Sequence, residues 1–250
     1  MIKVQIIDDN VPATEILATY LNQDPDIKVI NISADGKQGK NNYFKLKPDI
    51  LILDLELPSM NGIEILDCIC KSPEDAKRGL NVIALSEYFY KYKPNYTMKL
   101  HSCISKPYEL YQIRDRIKEV YEEYIFENFL EKCRLSCYDI MTDLHLKPSN
   151  EHTKCLMEAA LYIIEAKKTS FSLTDTCEKL SLRLQKPETH INWNLERAMR
   201  SIKENCTLST FQEVFPNHKN STITLKQVIS LIANKLDPEH SYSEHTHCIH

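Results

Sequence analysis

Asp49-Ile50-Leu51-Ile52-Leu53-Asp54-Leu55-Glu56-Leu57-Pro58-Ser59-Met60-Asn61-Gly62 is the stretch whose reading decides the fold. Four apolar residues in a row after Pro48-Asp49 read as a strand buried on both faces, the pattern of a parallel sheet. Asp54 stands at the end of that run, where burial should stop. In an open α/β sheet the carboxyl ends of the strands form the ligand crevice. Pro58 and Asn61-Gly62 then force a turn before the next helix. A carboxylate in that place either caps the turn or serves a ligand.

The segments on either side bear on that choice. Ile2–Ile7 reads as a short apolar strand ending in Asp8-Asp9, and Pro12 is well placed in the first turn of a helix carrying Ile16, Leu17, Tyr20 and Leu21 at helical spacing. Residues 27–32 form a second strand, and Gly36-Lys37-Gln38-Gly39 leads into a weaker helix ending near Leu46. Beyond Gly62, residues 63–70 read as a helix, 80–85 as a strand closing on Ser86, and the Tyr-rich stretch 88–99 as a short helix. Ser102–Ser105 is a brief fifth strand followed by Lys106-Pro107, and residues 108–124 form a last amphipathic helix.

Strands and helices alternating at these lengths imply a doubly wound parallel sheet. Right-handed crossovers then bring Asp8, Asp9, Asp54, Ser86 and Lys106 to one edge of it. Three carboxylates there repel one another unless a cation sits among them, and Mg²⁺ takes one or two carboxylates plus carbonyl, water and phosphate oxygens. Lys106 supplies a positive charge, and the Ser86 hydroxyl can reach a phosphoryl oxygen. An aspartate so placed can accept a phosphoryl group. Taken singly, Asp9 could merely cap the helix at Pro12, and Lys106 could be a solvated charge beside a turn proline.

Residues 1–125 resemble the receiver domain of bacterial two-component response regulators. Five positions match in order: Asp8-Asp9, Asp54 with Pro58 and Asn61-Gly62 behind it, Ser86, and Lys106-Pro107. The resemblance implies a flavodoxin-like, five-stranded parallel sheet in the order 2-1-3-4-5. It also implies that Asp54 is the phosphoacceptor, that Asp8, Asp9, Asp54 and the Glu56 backbone carbonyl hold a divalent cation (Mg²⁺ or Ca²⁺), that Lys106 pairs with the phosphoryl group, and that Ser86 moves toward it. Two positions depart from the family pattern. Glu87 follows the hydroxyl where a small residue is usual, and Cys103 stands where an aromatic is usual.

The composition sets bounds. The chain has 250 residues, enough for two ordinary domains, and 42% hydrophobic and 26% charged content is ordinary for a globular protein. With a net charge of −4, any DNA-binding surface must be a local patch. The nine cysteines are scattered, no apolar run is long enough to span a bilayer, and the N-terminus opens on a strand pattern rather than a signal peptide. Reduced thiols, a cytoplasmic location and no membrane partner are therefore expected.

Residues 126–137 are charged and read as a helix running out into a linker, and from 138 to 240 the pattern is all helical. Helix 173–184, a break at Gln185-Lys186-Pro187 and helix 188–204 have the spacing of a helix-turn-helix. Ile191, Leu195, Ala198, Met199 and Ile202 share one side of the second helix; Trp193, Glu196, Arg197, Arg200 and Glu204 lie opposite. Arg can read guanine and Glu can accept from cytosine, while Lys179, Arg183, Lys186 and Lys203 suit phosphates. The bland alternative is a solvated face with Glu196 and Arg200 as an i,i+4 pair. The residues of 138–240 resemble the C-terminal effector domain of the stage 0 sporulation protein A family, on Leu195-Glu196-Arg197-Ala198-Met199-Arg200 and Val228-Ile229-Ser230-Leu231-Ile232-Ala233-Asn234-Lys235-Leu236.

That resemblance implies a transcription regulator of sporulation initiation, with Glu196, Arg197 and Arg200 facing bases and Trp193, Asn194, Lys186 and Lys203 contributing to the DNA surface. Its implied partners are promoter DNA, a histidine kinase or phosphotransfer protein as donor, a second copy on phosphorylation, and RNA polymerase as a further candidate. The rival reading is a degenerate receiver that acts as a phosphorylation-independent interaction module beside a DNA-binding domain. No second general acid or substrate cleft is visible in the sequence, so enzymatic activity is not expected. The His-rich residues 241–250 read as a disordered tail.

Overall fold

The computed structural model describes residues 1–72, 81–87, 102–168, 170–218 and 222–240. The stretch expected as a helix at 88–99 and the tail 241–250 lie outside the described residues. The chain divides into two compact units, Met1–Phe126 and Glu127–His250.

The first unit alternates β1 (Ile2–Ile7), α1 (Val11–Leu21), β2 (Ile27–Ser33), α2 (Gly36–Leu46), β3 (Ile50–Asp54), α3 (Gly62–Cys70), β4 (Val82–Ser86) and β5 (Ser102–Ser105) before α4 (Leu110–Asp143) begins. All pairings are parallel, and the strand order is β2-β1-β3-β4-β5. Every residue of β3 and β4 is buried, as the unbroken apolar runs require.

The two-residue period of the strands sorts this core into two layers. Ile6, Ile50, Ile52, Ile83 and Leu85 pack with Leu17 and Leu21 of α1 and with Ile113, Ile117 and Val120 of α4. Ile7, Leu51, Leu53, Val82 and Ala84 pack with Tyr43 of α2 and Ile65, Leu66 and Ile69 of α3. The register pairs Asp54 with Leu85 and Ser86 with Ser105, so the carboxyl ends of β3, β4 and β5 finish level.

The second unit is helical. It comprises the later part of α4, then α5 (Glu151–Glu165), α6 (Leu173–Leu184), α7 (Glu188–Asn205), α8 (Leu208–Val214) and α9 (Leu225–Leu236). Its core takes Cys133, Cys137, Ile140 and Met141 from α4, Leu156, Ala159, Ala160, Ile163 and Ile164 from α5, and Ile191, Leu195, Ala198 and Ile202 from α7. Residues 126–137, expected to run out into a linker, are helical and lie within α4. The segment contains no Gly or Pro to stop the helix, and Cys133, Cys137, Ile140 and Met141 keep helical spacing on its buried side. The charges taken for a linker are the helix's solvated side. No helix among the described residues is long and apolar enough to cross a membrane.

One turn fixes where β3 can end. Asn61 caps α3 by accepting from the Glu64 amide at 2.9 Å, and the Glu64 carboxylate accepts from the Asn61 amide at 3.3 Å, which closes a capping box. Gly62 then passes so close to the strand that an added Cβ would lie 2.5 Å from the Asp54 carbonyl oxygen and 2.8 Å from the Leu55 Cα. Both neighbours are backbone and cannot yield. Gly62→Ala is therefore expected to cost about 1–3 kcal/mol, read as a lower urea midpoint of the full chain; an unchanged midpoint would contradict this packing.

Candidate functional site

The strand ends deliver the chemistry. Asp8 follows β1, Asp54 closes β3, Ser86 closes β4 and Lys106 follows β5. Asp8, Asp54 and Ser86 are nearly fully buried, and Asp9 is exposed. One carboxylate oxygen from each of Asp8, Asp9 and Asp54 lies within 4.8 Å of the other two. The cap of α1 falls to Asn10, whose side chain accepts from the Ala13 amide at 3.2 Å, and not to Asp9.

Lys106 joins this cluster from above β5. Its Nζ donates to Asp8 Oδ2 at 2.8 Å and to Asp54 Oδ2 at 2.7 Å. Its backbone amide donates to the Ser86 carbonyl at 2.9 Å, and the Lys106-Pro107 peptide is cis. The other oxygens of both acids are also held: the Asn10 amide donates to Asp8 Oδ1 at 2.9 Å, and the Glu56 amide to Asp54 Oδ1 at 3.0 Å. Four short bonds thus fix two buried carboxylates.

Burial pulls the Lys106 pKa down, but the hydrogen bonds it donates to Asp54 and Asp8 and their negative charges outweigh it, and the net shift is upward from 10.5. A raised ammonium stabilises the fold fully below the ordinary lysine range and loses that contribution only as pH rises through the raised value. At neutral pH the lysine is charged. Three carboxylates and one ammonium leave a net of about two negative charges at the rim when all are ionised. The donor set is oxygen alone, which suits a hard divalent cation such as Mg²⁺ or Ca²⁺ held by Asp8, Asp9 and Asp54. An open cavity of about 680 Å³ leads to Asp8 and Lys106, lined also by Asn10, Ile16, Glu87 and Tyr108.

The sequence missed one participant. The Ser86 hydroxyl donates to Glu56 Oε1 at 2.6 Å, so Glu56 enters the site by its side chain. The signal was available, since Glu56 lies two residues past Asp54 and the adjacent ends of β3 and β4 carry Asp54 and Ser86. Cys103 is half-buried, and burial pushes its thiol up to about 11. A second tie holds the loop after β3. Asp35 caps α2 by accepting from the Gln38 amide at 2.8 Å, and the Ser59 hydroxyl donates to its other oxygen. Both bonds hold the Asp35 carboxyl below its ordinary range.

In the second unit, α6 and α7 are joined by Gln185-Lys186-Pro187, with Gln185 in the left-handed region at φ 54. Trp193, Glu196, Arg197, Arg200 and Lys203 are exposed on α7. The Arg197 guanidinium lies over the Trp193 ring, 5.1 Å from its centroid. Asn194, expected on this outward surface, is instead buried and donates to the His190 carbonyl at 3.0 Å. It sits beside Leu195 on the packed side, where 3.6-residue periodicity carries it. Lys186 is ion-paired with Glu151, which also meets His190 at 3.1 Å, and Arg183 pairs with Glu165 at 2.5 Å. Two of the four basic groups expected to meet phosphates, Lys186 and Arg183, thus already have carboxylate partners within the unit.

The response regulator receiver domain family matches residues 4–118. Over 77 residues the chain is 39% identical to the transcriptional regulatory protein LiaR of Bacillus subtilis (strain 168), covering 31% of this chain and 36% of that protein. Over 91 residues it is 33% identical to protein-glutamate methylesterase/protein-glutamine glutaminase 1 of Myxococcus xanthus (strain DK1622), covering 36% of this chain and 25% of that protein. A crystal structure of the response regulator domain of Thermotoga maritima CheB matches half of this chain and 96% of its own, at 24% identity and TM-score 0.39. The chain thus spans between a quarter and a little over a third of the curated relatives quoted.

These matches correct one expectation. Absence of enzymatic activity was inferred from the lack of a second general acid, yet several relatives are named protein-glutamate methylesterases. A receiver of this kind occurs in enzymes, and a reading confined to the acidic cluster says nothing of what is joined to it. The family match and the charged sheet edge fall on the same stretch, and the first unit of this chain is a response regulator receiver domain.

Proposed function

We propose that the chain is a phosphorylation-controlled, DNA-binding regulator of a two-component or phosphorelay system, of the sporulation type. The observation that carries it is the Asp8–Asp9–Asp54 cluster with Lys106 Nζ bonded to two of its members. In this reading an Asp54 carboxylate oxygen attacks the phosphorus of a phosphohistidine donor. The new P–O bond forms as the donor's P–N bond breaks, and the electron pair leaves on the imidazole nitrogen. Lys106 exchanges one carboxylate partner for a phosphoryl oxygen, so its charge stays compensated throughout. A divalent cation held by Asp8, Asp9, Asp54 and the Glu56 carbonyl would neutralise charge on the phosphoryl oxygens.

The output is read from α7. Its packed side is apolar apart from Asn194, and its outer side offers Trp193, Glu196, Arg197, Arg200 and Lys203. A short turn ahead of such a helix suits entry into a major groove, where Arg197 and Arg200 can pair with guanine and Glu196 can accept from cytosine. The resemblance on residues 195–200 and 228–236 supports the sporulation-type effector. Receiver similarity to a protein named a transcriptional regulator supports the same output. Pairing of two phosphorylated receivers would set two recognition helices on tandem half-sites.

Incubating the full chain with acetyl phosphate and Mg²⁺ is expected to add one phosphoryl group by intact mass. Asp54→Asn and EDTA are each expected to abolish the addition; wild-type chain that stays unmodified would overturn the phosphoacceptor reading. On promoter DNA, Arg197→Ala is expected to cost about 1–3 kcal/mol and relax base preference at one position, whereas Lys203→Ala should weaken all sequences alike and reduce the salt slope by about 1. Equal losses on specific and random DNA for Arg197→Ala would contradict its role as a base reader.

A further inference from the structure

We propose that the Glu56 carboxylate is a positioning residue that holds the Ser86 hydroxyl and withholds its proton from a phosphoryl group on Asp54. The inference rests on the reading of Asp54 as phosphoacceptor and adds a brake to it.

A serine hydroxyl has one proton to donate. Here that proton is directed to Glu56 Oε1 across 2.6 Å, a short bond between a nearly fully buried hydroxyl and a half-buried carboxylate. Hydrogen bonds to an ionised acceptor are about twice as strong as neutral ones, and a low local dielectric strengthens them further. Neither end can drift. The Glu56 amide is bonded to Asp54 Oδ1, the Leu55 amide to the Leu85 carbonyl at 3.0 Å, and the Lys106 amide to the Ser86 carbonyl. With its backbone held on both sides, Ser86 can redirect its proton only by rotation about χ1 or about the Cβ–Oγ bond. That rotation must break the bond to Glu56.

The same carboxylate opposes the incoming group in a second way. Glu56 is two residues from Asp54 and within bonding distance of the hydroxyl that would serve a phosphoryl oxygen, so its carboxylate would add negative charge near an incoming phosphoryl group. These two effects are separable, because only the first needs Ser86.

The test uses the full chain as wild type, Glu56→Gln, Glu56→Ala, Ser86→Ala and the double variant Glu56→Ala/Ser86→Ala. Phosphorylation by acetyl phosphate with Mg²⁺ is followed by intact mass; an Asp54 oxygen takes the phosphoryl group as the bond to acetate breaks and acetate leaves as the carboxylate. Glu56→Ala is expected to accelerate modification about tenfold and Glu56→Gln, which keeps a neutral acceptor, by less. In the Ser86→Ala background the Glu56→Ala gain should fall to within about twofold. A gain that persists undiminished without Ser86 would overturn the latch and leave charge repulsion alone. No gain in either Glu56 variant would overturn the brake while the phosphoacceptor reading stands. Failure of every chain, wild type included, to take phosphate would remove that reading and the brake with it. Urea unfolding of the four Glu56/Ser86 combinations gives an independent check: the two changes should be coupled by about tenfold in the unfolding constant, and additivity within about twofold would overturn the bond itself.

Discussion

A single ammonium between two buried carboxylates holds the business end of the receiver together. Lys106 reaches back from beyond β5 to acids that end β1 and β3, and so closes a bridge across the sheet edge. Buried carboxylates persist only when paired and hydrogen-bonded. Both requirements are met here, because each acid accepts from the lysine on one oxygen and from a backbone amide on the other. The bridge still leaves the edge short of positive charge, since Asp9 adds a third carboxylate. That residual imbalance, on an edge whose donors are all oxygens, is consistent with a divalent cation.

The remainder of the first unit keeps that edge level. Five parallel strands end together because their apolar residues alternate between two helical layers, and a one-residue slip in β3 would exchange Leu53 with Asp54 between faces. Such a slip would bury a carboxylate against α3. The apolar pattern therefore specifies the position of the charge as firmly as it specifies the core.

How much of this was legible in the chain varied with the range of the interaction. The run Ile50 to Leu53, the acids at strand ends and the lysine before a proline report local patterns, and they led to the sheet and to its edge. Asn10 as the cap of α1 was one residue from the alternative considered, a difference that only backbone geometry decides. The Glu56 side chain went unread because its partner is thirty residues away on another strand. Asn194 was placed on the DNA surface by the family resemblance alone, whereas helical periodicity sets it on the packed side, where its amide is satisfied by its own helix and can be buried cheaply. The continuous α4 was missed for a related reason, as a charged stretch without Gly or Pro can be half of an amphipathic helix. What the helical unit acts on was the least legible, since an arginine-bearing helix face looks alike whether it meets water or a base.

The tie between Asp35 and Ser59 places α2 in mechanical series with the loop that follows β3. Ser59 is bonded to the residue that caps α2, and a Cβ on Gly36, the first residue of that helix, would lie 2.4 Å from the Met60 carbonyl oxygen. Loop and helix start are thus clamped by one bond and by one missing methyl group. Any displacement of residues 59–60 has to be shared by the β2–α2 corner, on the opposite flank of the sheet from β4 and β5. The end of β3 is thus tied to the β2 flank of the sheet as well as to the β4–β5 flank, through a serine, a carboxylate and a glycine.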